Sequence, residues 1–295
     1  MQQLLNNVSQ VFPPAPAFTG EHVGDLSGKV YMVTGANTGV GKALAEMLYA
    51  AHATVYAAAR SEAKGHEAVA AIRTAHPESR GTLAFLLLDL ADLTAVKAGA
   101  EAFLARESRL HVLFNNAGVM APPQGSVTAQ GHELQLGTNC VGPFLLTRLL
   151  TPVLAATART EPPAAVRVVW ASSSAAEVVS PRGGVPLDNL DYHVERPPPY
   201  KYGVSKAGNY YHAAEFARRH AADGLVAVAL NPGNLRTELM RHRSVLERAL
   251  LTAIQHPPAH GAYTELFAGL SPDVTVERSG AWSKPRPSTT GPART

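Results

Sequence analysis

Val30-Tyr31-Met32-Val33-Thr34-Gly35-Ala36-Asn37-Thr38-Gly39-Val40-Gly41 joins an apolar run to a three-glycine turn, and an amphipathic pattern follows at once. Val40, Leu44, Met47, Leu48 and Ala51 recur at helical spacing, which places them on one face of a helix. A buried strand, a tight turn and a helix N-terminus, in that order, make a place for a pyrophosphate. Glycines let the backbone turn sharply and let a phosphate approach, and the free N–H groups of the first helical turn donate to it. An ordinary strand–helix turn can also be glycine-rich; the strand before and the helix after argue against that reading. Gly35, Asn37, Thr38, Gly39, Val40 and Gly41 are the residues expected to line the site.

The same alternation runs outward along the chain. Short apolar runs at 54–59, 83–88, 110–114, 165–170 and 225–230 alternate with helical segments. Runs of this length read as strands buried on both faces, as in a parallel sheet. Strand–helix–strand alternation with right-handed crossovers predicts an α/β fold, a single doubly wound parallel sheet of six strands with helices on both faces. The domain is expected over 29–275. Residues 1–28, with Pro13, Pro14 and Pro16, read as an extended leader, and 276–295 as a disordered tail. A Pro- and Gly-rich connection, 175–199, is expected to wall a pocket.

Composition excludes several classes. Of 295 residues, 26 are Lys or Arg and 23 Asp or Glu, a net charge of +3, with 17% charged and 46% hydrophobic residues. A disordered chain would be more polar and more charged. A scattered +3 does not make the basic face that nucleic acid requires. Cys140 is the single cysteine, so no intrachain disulfide forms and a reducing, cytoplasmic location is expected. Residues 1–28 hold no Lys or Arg, so no secretory or mitochondrial leader is read there. No apolar stretch of about 18 residues suggests a membrane span. His256 and His260 are separated by Pro257 and Pro258, which spoils a helical ligand face, and no metal site is expected. Ser61 and Lys64 match a Ser-x-x-Lys pattern by letter only. Cys140 reads as a core residue rather than a nucleophile.

The second run ends in Ala57-Ala58-Ala59-Arg60. In a dinucleotide-binding sheet the side chain at this point reads the adenosine ribose; a carboxylate accepts from a 2′-hydroxyl, and an arginine accommodates a 2′-phosphate. Arg60, with Lys64 one helical turn on, suits a phosphate through charge-assisted donors. That points to NADP(H). Tyr202 and Lys206 stand at i and i+4 and share a helix face. A phenol, with its pKa of about 10, transfers protons poorly at neutral pH; a nearby ammonium favours the phenolate.

From about residue 28 to residue 240 these motifs, in this order, resemble the short-chain dehydrogenase/reductase family. The glycine turn matches its Thr-Gly-x-x-x-Gly-x-Gly pattern, and Asp89-Leu90 matches the position that contacts adenine. Asn115-Asn116-Ala117-Gly118 matches the Asn-Asn-Ala-Gly signature and Asn139 the catalytic Asn. Ser172-Ser173-Ser174 matches the catalytic Ser, with Ser173 aligned as the functional one; Tyr202 and Lys206 match the Tyr-x-x-x-Lys pair. Pro232-Gly233, with Leu235 and Thr237, matches the segment that holds the nicotinamide carboxamide. The glycine spacing resembles the compact subtype, and the wording of 34–39 is similar to the retinol-dehydrogenase-like branch. Residues 136–139 and 263–269 are similar to its fungal members.

The resemblance implies a Rossmann-type sheet and an NADP(H)-dependent interconversion of a carbonyl and an alcohol. Tyr202 would exchange the proton, Ser173 hydrogen-bond the reacting oxygen, and Lys206 lower the Tyr202 pKa and hold the nicotinamide ribose. Asn139 would fix a water that relays protons to Lys206. Cofactor contacts would extend to Asn116, Ala117 and Gly118. A small-molecule substrate, a homo-oligomer and a place in secondary metabolism are further implications. Residues 236–260 would cover the substrate. Leu239, Met240, Leu246, Leu250 and Ile254 there read equally as an apolar pocket face, suited to a hydrophobic substrate, or as helix packing. The family's seventh strand reads as truncated, since Pro285 follows Ala281-Trp282 closely, and the sixth strand would be left as an exposed edge. A second function stays open: an NADP(H)-binding sensor or scaffold with little or no turnover. The intact Asn139, Ser173, Tyr202 and Lys206 argue against it.

Overall fold

The protein was analysed as a computed structural model that describes residues 16–237, 239, 255–283 and 289–290. Its elements are β1 (Val30–Thr34), α1 (Gly39–Ala50), β2 (Thr54–Ala59), α2 (Glu62–Ala75), β3 (Thr82–Leu87), α3 (Leu93–Leu104) and β4 (Val112–Asn115). There follow α4 (Leu134–Ala158), β5 (Arg167–Ala171), α5 (Pro198–His220), β6 (Val226–Leu230), α6 (Pro258–Leu270), β7 (Trp282–Ser283) and β8 (Thr289–Thr290). The strands lie in the order β3-β2-β1-β4-β5-β6-β7-β8. Pairing is parallel from β3 through β7 and antiparallel only at β8. The chain reverses its direction of winding between β1 and β4, and the crevice outside the strand ends at such a switch is where doubly wound sheets take ligands.

The six expected strands form within a residue or two of their apolar runs. Every residue of β1, β4, β5 and β6 is buried, as strands covered on both faces must be. Val33, Phe114, Val169 and Val228 face α1 and α6. Met32, Leu113, Trp170 and Ala227 face α3, α4 and α5. α4 has the length and hydropathy of a membrane-crossing helix. Its Leu146, Leu150 and Leu154 are nevertheless fully buried against the sheet. Within it, Gly137–Val141 is a π-helical turn, a local widening that is frequent at functional sites. Pro143 follows, and without an N–H it cannot close the helical bond to the Asn139 carbonyl.

The C-terminal end differs from the reading of the sequence. β7 is a two-residue strand, truncated as expected, and pairs with Ala229 and Leu230. The β6 edge is not left open, however. Ala227 O accepts from Gly280 N at 2.7 Å, and Ala227 N donates to Ser279 Oγ at 3.0 Å. Trp282 is buried against Tyr210. Residues 276–283 therefore carry structure where a disordered tail was expected, because they satisfy the donors and acceptors of β6. The leader differs too. Over 16–28 it makes a helical turn at Gly20–His22, and Phe18, Val23 and Leu26 pack on the core beside α1 and α6. The connection 175–199 begins with a helical turn, Ala175–Val178, and α5 starts early, with Pro197 as N-cap and Pro198 as its first residue.

Arg167, at the start of β5, is buried and holds the far end of α6. Its guanidinium donates to Ala164 O at 2.7 Å, Ala268 O at 3.1 Å and Ser271 O at 2.9 Å. Replacing it by Met would take the guanidinium donors from the buried Ala164 and Ala268 carbonyls and leave Ser271 O with Val274 N alone. Arg167→Met is expected to lower the unfolding free energy by about 3 kcal/mol, read from urea denaturation; a loss below about 0.5 kcal/mol would contradict this account.

Candidate active site

The strand ends of the switch point enclose a cavity of about 710 Å³. Gly35 turns the chain out of β1 with φ +70°, and a Cβ there would lie 3.0 Å from the Ala117 backbone. At Gly41 a Cβ would meet Asn116 Nδ2 at 2.5 Å and Gly35 O at 2.6 Å. The turn is thus pressed against the end of β4, and only hydrogen fits. Thr34 fastens the two strands: its hydroxyl donates to Phe114 O and accepts from Asn116 N and Ala117 N, each at 3.0 to 3.1 Å. The Asn116 amide donates to Thr34 O at 2.7 Å. The Asn-Asn-Ala-Gly segment therefore builds the wall of the cavity as well as lining it. Asn115 belongs to the other face of the sheet and donates to Thr147 Oγ1 at 2.9 Å.

Every residue expected to hold cofactor lines this one cavity, from the glycine turn through Arg60, Lys64, Asp89 and Leu90 to Pro232, Gly233, Leu235 and Thr237. Arg60 and Lys64 are exposed at its rim, with Ser61 capping α2 between them. Asp89 Oδ1 accepts from Ala91 N at 2.9 Å, which shapes the turn after β3. Thr237 folds back over the glycine turn, against Gly39. The two ends of the covering segment are joined where Arg236 N donates to His256 O and His256 N to Asn234 O, each at 2.9 Å. Of the apolar residues expected in that segment, Leu239 lines the cavity; Met240, Leu246, Leu250 and Ile254 lie outside the described residues. The cavity wall passes from Ser174 directly to Tyr202, so 175–199 contributes none of it. Its glycines instead pack it against α5, where Gly184 touches Tyr211.

Ser173, Tyr202 and Lys206 share this cavity. Lys206 is buried, donates to Ala171 O at 2.7 Å, and sits 5.8 Å from the Tyr202 ring centre. Burial penalises its charge and pulls its pKa down to about 8. Tyr202 is pushed up to about 12 by burial, and the Ser173 hydroxyl is the group that pulls it back. The expected lowering by Lys206 does not show in the Tyr202 titration, because Lys206 gives up its charge near pH 8, well before the phenol ionises. Asn139 is fully buried and does not line the cavity. Its side chain bonds both backbone groups of Val119, at 2.8 and 2.9 Å, and donates to Ser205 Oγ at 3.0 Å. It ties the π-turn to the chain after β4 and to α5. A Cβ on Gly118 would lie 3.2 Å from Asn139 Oδ1 and 3.4 Å from Lys206 Nζ, so the three positions converge.

The donor set fits a nicotinamide dinucleotide. A helix N-terminus and a glycine turn face the pyrophosphate position, two cations stand at the ribose end, and a buried ammonium stands at the other. Sequence reasoning missed Met120 and Asn231, which line the cavity, because nothing in their immediate sequence marks them. It also missed Glu265, a fully buried carboxyl on α6. A glutamate within a helix ordinarily reads as a solvated face.

The family model for short chain dehydrogenases matches residues 29–185. A short-chain dehydrogenase/reductase of Phomopsis amygdali is 55% identical over 96% of this chain and 86% of that protein. Among solved structures, an uncharacterized protein from Mycobacterium paratuberculosis is 29% identical, with TM-score 0.68 over 94% of this chain and 89% of that one. The NADPH-bound carbonyl reductase from chicken fatty liver shares the fold at 24% identity, with TM-score 0.65 over 87% of this chain and 96% of that one.

Cys140, next to Asn139, contacts His212 Nε2 at 3.2 Å, and His212 stacks on Phe144. Burial drives the thiol up to about 12 and the imidazole down to about 4, so neither group is primed for nucleophilic chemistry. The native protein is expected to leave its one thiol untouched by a disulfide reagent at pH 8 and to react in guanidinium. Rapid labelling of the native protein would overturn this assignment.

Proposed function

The chain belongs to the short-chain dehydrogenase family, and from that premise we propose that it interconverts a carbonyl and an alcohol on a small, hydrophobic molecule with NADP(H). The oxidoreductase class and a nicotinamide cofactor follow from the family. The finer reading is carried by one observation: Ser173, Tyr202 and Lys206 open into the same cavity as the glycine turn and Arg60. In the folded domain 29–275, the proposal assigns the residues as follows.

The glycine turn and the first N–H groups of α1 hold the pyrophosphate. Arg60 and Lys64 meet the 2′-phosphate that separates NADP(H) from NAD(H), and Asp89 and Leu90 border the adenine. Asn116, Ala117 and Gly118 line the middle of the path, and Pro232, Gly233, Leu235 and Thr237 the nicotinamide end. The cofactor supplies hydride. Tyr202 gives its proton to the carbonyl oxygen in reduction and takes it back in oxidation. Ser173 donates to the same oxygen and stabilises the charge that develops there. Lys206, while it is protonated below about pH 8, places a positive charge beside Tyr202 and holds the nicotinamide ribose, and Asn139 holds the backbone against which Lys206 lies. Met120 and Leu239 give the substrate end an apolar lining, which supports a hydrophobic substrate. A place in secondary metabolism rests on the likeness to fungal relatives.

Titration with NADPH and NADH, followed by nucleotide fluorescence, tests the cofactor assignment. NADPH is expected to bind more tightly, with Arg60→Ala weakening NADPH by roughly tenfold and leaving NADH unchanged; equal affinities would remove Arg60 from its role. Tyr202→Phe is expected to keep NADPH binding and lower turnover roughly a hundredfold or more. Tight binding with no turnover on any aldehyde or ketone would instead favour the sensor or scaffold reading. Carbonyl reduction needs both Tyr202 and Lys206 protonated. Since burial has lowered Lys206 to about 8, the rate should fall on the alkaline side near pH 8. A profile flat to pH 10 would show that Lys206 keeps its proton.

A further inference from the structure

Met120, on the chain after β4, lines the cavity, and the residues on either side of it are both held from α4. Asn139 bonds the two backbone groups of Val119. Ala121 N donates to Gln135 Oε1 at 2.9 Å. Ala121 has φ +47°, a left-handed conformation that a residue with a Cβ resists. Pro122 follows, and a residue before proline is pushed towards extended backbone. Ala121 therefore sits where its own sequence would not put it, and the Gln135 amide is bonded to its N–H.

Gln135 is 1% exposed. Burying an amide is costly unless its polar atoms are bonded, and here both ends of it are. Nε2 donates to Glu133 Oε1 at 3.3 Å and to Pro198 O at 3.1 Å. Glu133 is itself fixed, since it accepts from Leu136 N. Pro198 is the first residue of α5, and its carbonyl is the one on which the helical N–H of Tyr202 closes, one turn on. Asn139 reaches α5 on the other side of Tyr202. It donates to Ser205 Oγ at 3.0 Å, and that hydroxyl donates to Tyr202 O at 2.8 Å. Two amide side chains of one helix thus bracket Met120 on one side and the backbone of Tyr202 on the other.

We propose that Gln135 is a positioning residue that sets the gap between Met120 and Tyr202, and through it the size of the group the site accepts beside the reacting carbonyl. The effect on substrates rests on the reaction proposed above; the hold on Ala121 does not. With the phenol fixed to α5 and Met120 fixed to the loop, the bonds of Gln135 join the two walls. Without them Ala121 relaxes towards extended backbone, and Met120 moves relative to the phenol. The glycine turn and Arg60 touch none of these groups, so the cofactor path is left as it was.

Two measurements on the full-length protein test this. The first is NADPH-dependent reduction of butanal, hexanal and octanal. In Q135M the KM for octanal should rise about tenfold, more than kcat falls. The wild-type discrimination among the three chain lengths should shrink, with NADPH affinity unchanged. An unaltered discrimination, or NADPH binding weakened as much as octanal, overturns the proposal. If Q135M does not fold, A121P breaks the same bond from the loop side by removing the N–H, and the same change is expected of it. The second measurement is unfolding in urea, without nucleotide, of A121G, Q135M and the double variant. Glycine takes the left-handed conformation freely. A121G should therefore raise the urea midpoint more in the wild type than in Q135M, where Ala121 has already relaxed. Equal shifts show that Gln135 does not hold Ala121 and overturn the proposal. If the wild type reduces none of the aldehydes, the function reading fails and takes the substrate effect with it, and the cycle still decides the hold on Ala121.

Discussion

The bond from the Lys206 ammonium to the Ala171 carbonyl, at 2.7 Å, fixes α5 to the end of β5. At the edge of a parallel sheet the last carbonyls have no ladder partner, and α5 satisfies them. Asn209 Nδ2 donates to the same oxygen at 3.0 Å, and Ser172 Oγ donates to Lys206 O at 2.6 Å. Once this crossing is set, Tyr202 falls one turn earlier on the buried side, beside Ser173. Because β1, β4, β5 and β6 all point the same way, their ends share one crevice. The glycine turn, the Asn116 segment, the serines and Pro232-Gly233 meet there without any being close to the others in the chain.

The chemistry of that crevice is set by dryness. Burial raises Tyr202 and lowers Lys206, so both drift towards their neutral forms. Fixed groups then decide how far. The Ser173 hydroxyl pulls Tyr202 back down, and the Ala171 carbonyl holds the Lys206 amine. Asn139 works by geometry: its bonds to Val119 and Ser205 lock the π-turn of α4 against α5. The hydroxyl that tunes Tyr202 and the amide that locks the geometry thus come from different elements, the turn after β5 and α4, converging on one strand end.

How much of this could be read in advance depended on whether the determining partner was local. Tyr202 and Lys206 were legible because helical spacing alone puts them on one face. The glycine turn was legible because its demands are on its own backbone and on the helix that follows. β7 was only half legible: two residues make a strand because the β6 edge offers Ala229 and Leu230 as partners, and the alternation of apolar residues carries no record of that. Glu265 was not legible at all, since a helical Glu is usually solvated, and only the packing of Gly261 and Gly269 shows that this face is buried. Asn139 was placed in the site by its motif, but its work behind the cavity wall is visible only in three dimensions.

The sequence by itself determined the parallel sheet, the glycine turn and the shared helix face of Tyr202 and Lys206, because strand burial, glycine geometry and helical spacing act over a few residues. Only the tertiary structure decided the ionisation and exact placement of those groups. A pKa in a buried site depends on how much water is excluded and on which polar groups are packed beside it. Those quantities belong to the packing of distant elements, not to any stretch of the chain.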